Sequence, residues 1–453
     1  MPKKNDIIEV KINSLDFPNK GKGQFEDYKV VVKDTLPGQT VSAKIAKKKN
    51  GVIEARLNDI IQKADYEIES KCPHFEICGG CSYQNIPIEN ENKIKETQVL
   101  NLLENAGISG FEYEGLVTAP CIEGYRNKCE FSFGDTQKGG LLALGMRKRH
   151  SYYEVVNLTD CNIIDSDYLC IIKNTVEFFR NRNVSFYHKA RHDGCLRHLV
   201  IRKGAYTGEI LINLITANAL EFDLNEFKDM LLSLHLQGRI CSILHTQNDS
   251  VADVVKSDET KVIYGQDYFT DRLFDLEFKI TDVSFFQTNT KGAETLYSIV
   301  KEYAGDASDK TVFDLYCGTG TIGQIMAEKS RKVIGIELVE EAVEAATENA
   351  KRNGINNCEF IAGDVLKKVD ELNEKPEIII VDPPREGIHP KAIEKIINFG
   401  AERIVYVSCK PSSLARDLAV FEEKGYKTVK VKLCNQFART VHIETVVLLN
   451  RIS

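Results

Sequence analysis

Apolar residues recur at every second position through the first sixty residues, as in Ile7–Ile12, Tyr28–Val32 and Val41–Ile45, the period of half-buried strands. Turn-forming residues separate these runs: Asn19 with Gly21, Pro37-Gly38 and Asn50-Gly51. The pattern predicts a small closed β-barrel of the oligonucleotide-binding sort over residues 1–62. A polar helix is predicted over 88–106, followed by mixed strands and helices to about residue 265, among them Arg197–Arg202. From Phe285 onward, β-branched apolar runs at 311–316, 332–337, 357–361, 377–381, 403–407, 427–433 and 441–449 alternate with helical periods. Seven strands with helices between them predict a doubly wound, Rossmann-like α/β sheet. The chain is thereby divided into 1–62, a central α+β domain over 63–265, and 266–453, with helix 88–106 expected to dock on the last.

At 453 residues, 43% hydrophobic and 28% charged, the chain has the balance of an ordinary globular protein with several domains. It has no apolar run of membrane-spanning length and no signal-peptide core after Met1, so a cytoplasmic location without a membrane partner is expected. The net charge of −7 argues against a nucleic-acid partner until its distribution is considered. Residues 1–63 carry 13 Lys and Arg against 8 Asp and Glu, and residues 120–210 carry 14 against 10. Local basic surface, rather than overall charge, is what phosphates meet. Lys47, Lys48, Arg126, Lys128, Arg147 and Arg149 are candidate RNA contacts, with Phe131 a candidate stacking partner for a base.

Three predicted strand ends carry chemistry. The first closes in Asp314, Tyr316, Gly318 and Gly320, a tight glycine turn. Gly318-x-Gly320-x-x-Gly323 formally fits a dinucleotide fingerprint, but Asp314, with Glu337 ending the next strand and Asp364 after the third, tilts the reading toward S-adenosylmethionine, although Glu337 would suit NAD equally well. The second end is Asp382-Pro383-Pro384-Arg385, and the third is Ser408-Cys409-Lys410-Pro411. Hydride transfer needs no such thiol. Methylation at carbon 5 of uracil does, because that carbon is a poor nucleophile until a thiolate adds to carbon 6. A base must then remove the carbon 5 proton, and Glu444, sharing a strand face with His442, is the candidate. Asp382 is suited to accept a hydrogen bond from uracil N3 or from a cofactor amine. The competing explanation for Cys409 is a buried packing thiol.

Thirteen cysteines, an odd number, argue for metal or catalytic thiols rather than disulfides. Cys72, Cys78 and Cys81 lie within ten residues of one another, beside Pro73 and the Gly79-Gly80 bend. Thiolates at this spacing suit zinc or an iron–sulfur cluster, and Cys121, Cys129, Cys161, Cys170 and His74 are candidates for the fourth ligand.

Taken together, the motifs closely resemble the bacterial RNA (uracil-5)-methyltransferases, in particular their 23S rRNA branch, along essentially the whole chain. The resemblance implies a TRAM barrel over residues 1–62, a class I methyltransferase domain over 266–453, and a [4Fe-4S] cluster on Cys72, Cys78, Cys81 and Cys161. It implies that Gln287, in Phe286-Gln287-Thr288-Asn289, contacts S-adenosylmethionine together with Tyr316, Glu337 and Asp382. Cys409 would be the nucleophile and Glu444 the base, acting as a monomer on a loop or single-stranded uridine of 23S rRNA. The family's usual Asp-x-Phe-Pro before the base is Asn435-Gln436-Phe437-Ala438 here. A tRNA uridine methyltransferase, or a non-catalytic RNA-binding factor on the same fold, are the alternative expectations.

Overall fold

A computed structural model of the chain describes residues 2–452 except 218, 219, 221, 251–258 and 370. Strands β1 (Ile7–Asp16), β2 (Lys20–Phe25), β3 (Tyr28–Lys33), β4 (Thr40–Lys49) and β5 (Val52–Gln62) close into a barrel in the order β1-β2-β3-β5-β4. The alternation works as read. Ile8, Val10, Ile12, Val30, Val32, Val41 and Ile45 point inward, while Lys47 and Lys48 stand exposed. Asn50 (φ 49°) and Gly51 (φ 75°) supply the two left-handed residues of a tight hairpin between β4 and β5.

The chain then runs through the cysteine-bearing segment into α1 (Ile88–Asn105) and β6 (Glu112–Thr118). Neither element belongs to the central domain that follows. That domain is built from β7 (Lys128–Asp135), β8 (Leu142–Arg147), β9 (Val155–Asn157), α2 (Ser166–Asn181), β10 (Leu196–Lys203), β11 (Glu209–Thr216), α3 (Leu224–Leu232), β12 (Arg239–Gln247) and β13 (Glu259–Gly265). Its seven-stranded sheet, ordered β13-β12-β11-β10-β7-β8-β9, packs α2 and α3 over an aromatic core that includes Phe131, Phe133, Phe178, Phe179 and Phe227. A hairpin, β14 (Tyr268–Leu273) and β15 (Leu276–Thr281), leads to α4 (Thr290–Ala304).

The third unit alternates strand and helix: β16 (Thr311–Leu315), α5 (Thr321–Ala327), β17 (Lys332–Glu337), α6 (Glu340–Arg352), β18 (Cys358–Ala362), α7 (Val365–Lys368), β19 (Ile378–Val381), α8 (Pro390–Asn398), β20 (Arg403–Ser408), α9 (Pro411–Glu423), β21 (Tyr426–Asn435) and β22 (Glu444–Arg451). The sheet order is β18-β17-β16-β19-β20-β22-β21-β6, parallel except for β22. The order reverses between β16 and β19, where open α/β sheets form their ligand crevice.

Two expectations are corrected here. The sheet has eight strands, because β6 pairs in parallel with β21 (Lys430 opposite Glu112, Leu433 opposite Leu116). Residues 88–118 therefore belong with the C-terminal unit, and a linear cut at 265 does not follow the structure. β6 is a half-exposed edge whose Tyr113 is tied to Glu96 of α1 by a 2.6 Å hydrogen bond. The last strand begins at Glu444 rather than at 441, so His442 lies in the preceding loop and shares no strand face with it. No helix among the described residues is long and apolar enough to cross a membrane.

Candidate active site

Beyond the carboxyl ends of β16, β19 and β20 opens a cleft of about 1470 Å³. A single small-molecule pocket occupies roughly 300–1,000 Å³, so this cleft has room for two ligands side by side. Gln287, Tyr316, Gly318, Glu337, Asp364, Asp382, Cys409 and Glu444 all line it.

The glycine turn forms one wall. Tyr316 adopts φ 67°, which is unusual for a bulky residue, and the Tyr316 and Cys317 N–H groups donate to Ile336 O at 2.9 and 3.1 Å. Gly320 has φ 71°, and a Cβ there would sit 2.6 Å from Phe360 and 2.8 Å from Ala346. The Glu337 carboxylate accepts from Gly318 N and Val339 N, each at 3.0 Å, and Asp364 caps α7 through Leu366 N at 2.9 Å. Asp314 stands behind this wall rather than in it. One of its oxygens accepts from Gly323 N at 2.7 Å, and the other is buried without a partner. Across the cleft, Gln287 accepts from Gln436 at 3.0 Å, while its carbonyl is held by Asn127 at 2.8 Å.

The other end of the cleft concentrates titratable groups. Cys409, just past buried β20, has its thiol pushed up to about 11 by burial and then by Glu444 and Asp382, with Arg385 opposing. Burial and Asp382 push Glu444 up to about 8, again against Arg385, and burial alone brings Asp382 to about 7. His442 is pushed down to about 4 by burial and by Arg385, Lys95 and Arg126, which leaves it neutral near pH 7. A half-buried thiol facing two carboxylates whose proton affinity lies near neutrality is equipped for nucleophilic addition and proton transfer. The residue-by-residue reading gave Arg385, Gln436 and Tyr297 no role. Arg385 biases both Cys409 and Glu444 toward their charged forms. Gln436 stands behind Gln287. Tyr297 is a fully buried phenol raised by burial and Asp382 and hydrogen-bonded to Gln287. The only sequence signal for Arg385 was its place after Asp382-Pro383-Pro384.

Away from the cleft, Cys72, Cys78, Cys81 and Cys161 lie close enough to influence one another's ionisation. Gly80 N donates to Cys78 Sγ at 3.4 Å, Gln84 Nε2 donates to Cys81 Sγ at 3.5 Å, and the Ile163 and Ile164 N–H groups face Cys161. Among the described residues, no group of three or more His, Cys, Asp or Glu is arranged to hold a metal ion. His74 Nε2 accepts from Thr159 N at 3.1 Å, which makes this ring a strut between the two cysteine-bearing loops. Cys129 is buried in β7, and Cys170 accepts a hydrogen bond from Asn174 within α2.

The candidate RNA contacts divide. Phe131 is buried against Tyr168 and offers no face to a base; the alternation of β7 turns it inward. Arg149 is spent on the carbonyls of Phe75, Cys78 and Cys81, and Lys128 pairs with Glu130 at 2.9 Å. Among the described residues the most exposed aromatics of the central domain are Tyr152 and Tyr153, 65% and 58% exposed, with Arg147 and Lys189 near the Tyr152 ring. Arg126 lines the cleft itself.

Comparison with known proteins agrees with this geometry. Residues 204–452 match the family model described as tRNA (Uracil-5-)-methyltransferase, and residues 3–57 match the TRAM domain. A protein of Clostridium acetobutylicum described as an RNA methyltransferase is 50% identical over 449 residues, covering 99% of this chain and 98% of that one. One from Caldanaerobacter subterraneus is 48% identical over 448 residues, 99% of each. A solved structure of Pyrococcus abyssi tRNA (uracil-54, C5)-methyltransferase, in complex with S-adenosyl-L-homocysteine, shares the fold, with a TM-score of 0.78 and 24% identity over 98% of this chain and 100% of that one. The chain belongs to the (uracil-5-)-methyltransferase family, S-adenosylmethionine-dependent enzymes that act on RNA.

Proposed function

We propose that the protein methylates carbon 5 of a loop or single-stranded uridine in 23S rRNA through a covalent adduct between Cys409 and carbon 6. The observation that carries the chemistry is the convergence of half-buried Cys409, buried Glu444 and exposed Arg385 at one end of the cleft whose other end holds the glycine turn. Addition of the Cys409 thiolate to carbon 6 makes carbon 5 nucleophilic. Bound S-adenosylmethionine supplies an electrophilic methyl on a positively charged sulfur. Gln287, Tyr316, Gly318, Glu337 and Asp364 line the part of the cleft that would hold it, with Asp314 supporting the turn from behind. Glu444 then takes the carbon 5 proton and the Cys409–carbon 6 bond breaks, releasing the thiolate. Arg385 stabilises the thiolate before addition and the carboxylate before proton removal. The target base has to leave its stack to reach this depth.

The four thiols fit a [4Fe-4S] cluster by the chemistry of the donor set: all sulfur, with N–H donors aimed at three of them. When bound it would brace the loops carrying Cys78, Cys81 and Cys161, since uracil methylation by this route moves no electrons. Anaerobically purified protein is expected to be brown, with iron and sulfide at about four each per chain. Cys72→Ser, Cys78→Ser, Cys81→Ser and Cys161→Ser should each lose the colour while Cys121→Ser keeps it. Stoichiometric zinc without visible absorbance would refute the cluster.

The cysteine array together with the barrel supports the ribosomal substrate. The tRNA named in the family model and in the Pyrococcus abyssi match supports a second reading, a tRNA uridine. Mapping 5-methyluridine in rRNA and tRNA from a strain lacking this gene decides between them. A site missing from 23S rRNA is expected, and a site missing only from tRNA would reverse the assignment.

A further inference from the structure

The loop that joins β21 to β22 brings Phe437 and His442 to the cleft and leads directly into Glu444, the first residue of β22. Its midpoint is Arg439, whose backbone has φ 71°, a left-handed conformation that a long side chain rarely adopts. The surroundings fix it from every side. Arg439 N donates to both Glu91 oxygens at 3.0 Å. Its carbonyl accepts from Ser82 N at 2.8 Å and Tyr83 N at 3.1 Å, and its Nη1 donates to Ile86 O at 2.8 Å and Tyr83 O at 3.3 Å. Ser82 directly follows Cys81 in the chain.

The flanks of the loop are anchored by the same neighbourhood. Glu91 and Lys95, both fully buried on α1, pair at 2.8 Å. Lys95 donates to Asn435 Oδ1 at 2.7 Å and to Phe437 O at 3.3 Å, while Asn435 Nδ2 donates to Glu91 at 3.1 Å. An aspartate at 435 would set a second carboxylate against Glu91, so the amide matches this surrounding. Tyr125 OH holds Ala438 O at 2.8 Å, and Val441 packs with Leu15 and Leu36 of the barrel region against Tyr83 and Ile86. A residue held in a costly backbone conformation by this many partners is over-determined, a condition typical of functional sites.

We propose that Arg439 is a positioning residue for the proton-removal step: its side chain ties the loop that leads into β22 to the Ser82–Ile86 segment and so sets where Glu444, at the start of that strand, sits relative to carbon 5. This rests on the assignment of Glu444 as base. Displacing a reacting group by about 1 Å costs on the order of 10²-fold in rate.

RNA carrying 5-fluorouridine separates the steps, because fluorine at carbon 5 stops the reaction after thiol addition and methyl transfer. Arg439→Gly relieves the backbone conformation and removes only the side-chain ties; Arg439→Lys keeps the charge and loses the fork. Both are expected to form the 5-fluorouridine adduct at near wild-type rates. On uridine RNA, Arg439→Gly should turn over roughly 10- to 100-fold more slowly and accumulate covalently bound, methylated RNA, with Arg439→Lys intermediate. Wild-type turnover by Arg439→Gly would overturn the proposal, and so would an equal fall in adduct formation and turnover, which marks general damage to the fold. Failure of the wild-type protein to form the 5-fluorouridine adduct would instead refute the thiol mechanism itself.

Discussion

Cys409→Ala is expected to abolish both methyl transfer and the covalent RNA complex while leaving S-adenosylmethionine binding intact. Without the thiol, carbon 5 never becomes nucleophilic, and no other side chain at that end of the cleft can take its place. Asp382 and Glu444 are weaker nucleophiles whose proton affinity burial raises, to about 7 and about 8, and His442 lies in the loop rather than at the end of β20. Removal of a covalent nucleophile that acts as part of a unit costs on the order of 10⁶-fold in kcat. Denaturing electrophoresis with 5-fluorouridine RNA and isothermal titration with S-adenosylhomocysteine measure the two halves of this expectation. Retained methylation would place the nucleophile elsewhere. Loss of cofactor binding would mean that the substitution disturbs the turn after β16 as well.

Glu444→Gln is expected to fail differently, because the amide cannot accept the carbon 5 proton but occupies the same volume. The variant should add to carbon 6, transfer the methyl and then stall, giving a slow-migrating band that protease removes. Losing a positioned base costs about 10²–10⁴-fold, so slow release is compatible with the assignment. The pH profile adds an independent check. Glu444 is active as the carboxylate, and burial with Asp382 raises it to about 8. Where proton removal limits turnover, the wild-type rate should therefore climb as pH rises toward 8 and level off above it. Glu444→Gln should lack that limb. A variant with near-normal turnover and no stalled adduct would leave His442 or a water as the base.

What could be read from sequence was what a single local pattern determines. Ile378–Val381 is buried on both faces, so its uninterrupted apolar run announced a central parallel strand. The residues immediately beyond such strands, Asp382 and Cys409, inherited their position from it. β6 was illegible because half-exposed edge strands carry no strong period and its partner is remote in the chain. His442 was misplaced by two residues of strand boundary. Phe131 was offered to RNA because aromatic content in a basic region does not reveal which face of β7 is buried. Gln436 and Arg439 owe their positions to contacts with Gln287, Glu91 and the Ser82–Ile86 segment, which no local pattern encodes.

The pairing of β6 with β21 also dictates when the molecule can be completed during synthesis. Glu114 and Lys430, which form an ion pair across this edge, are 316 residues apart in sequence. At roughly 5–20 residues per second, a ribosome takes about 15–60 s to make the second strand after the first. Throughout that interval the barrel and the central domain can fold on either side of an unpaired strand and an undocked α1. The catalytic unit thus closes last, over a strand that left the ribosome tunnel early. A fragment beginning at residue 266 would carry β21 with a bare edge, the condition that favours intermolecular pairing and aggregation.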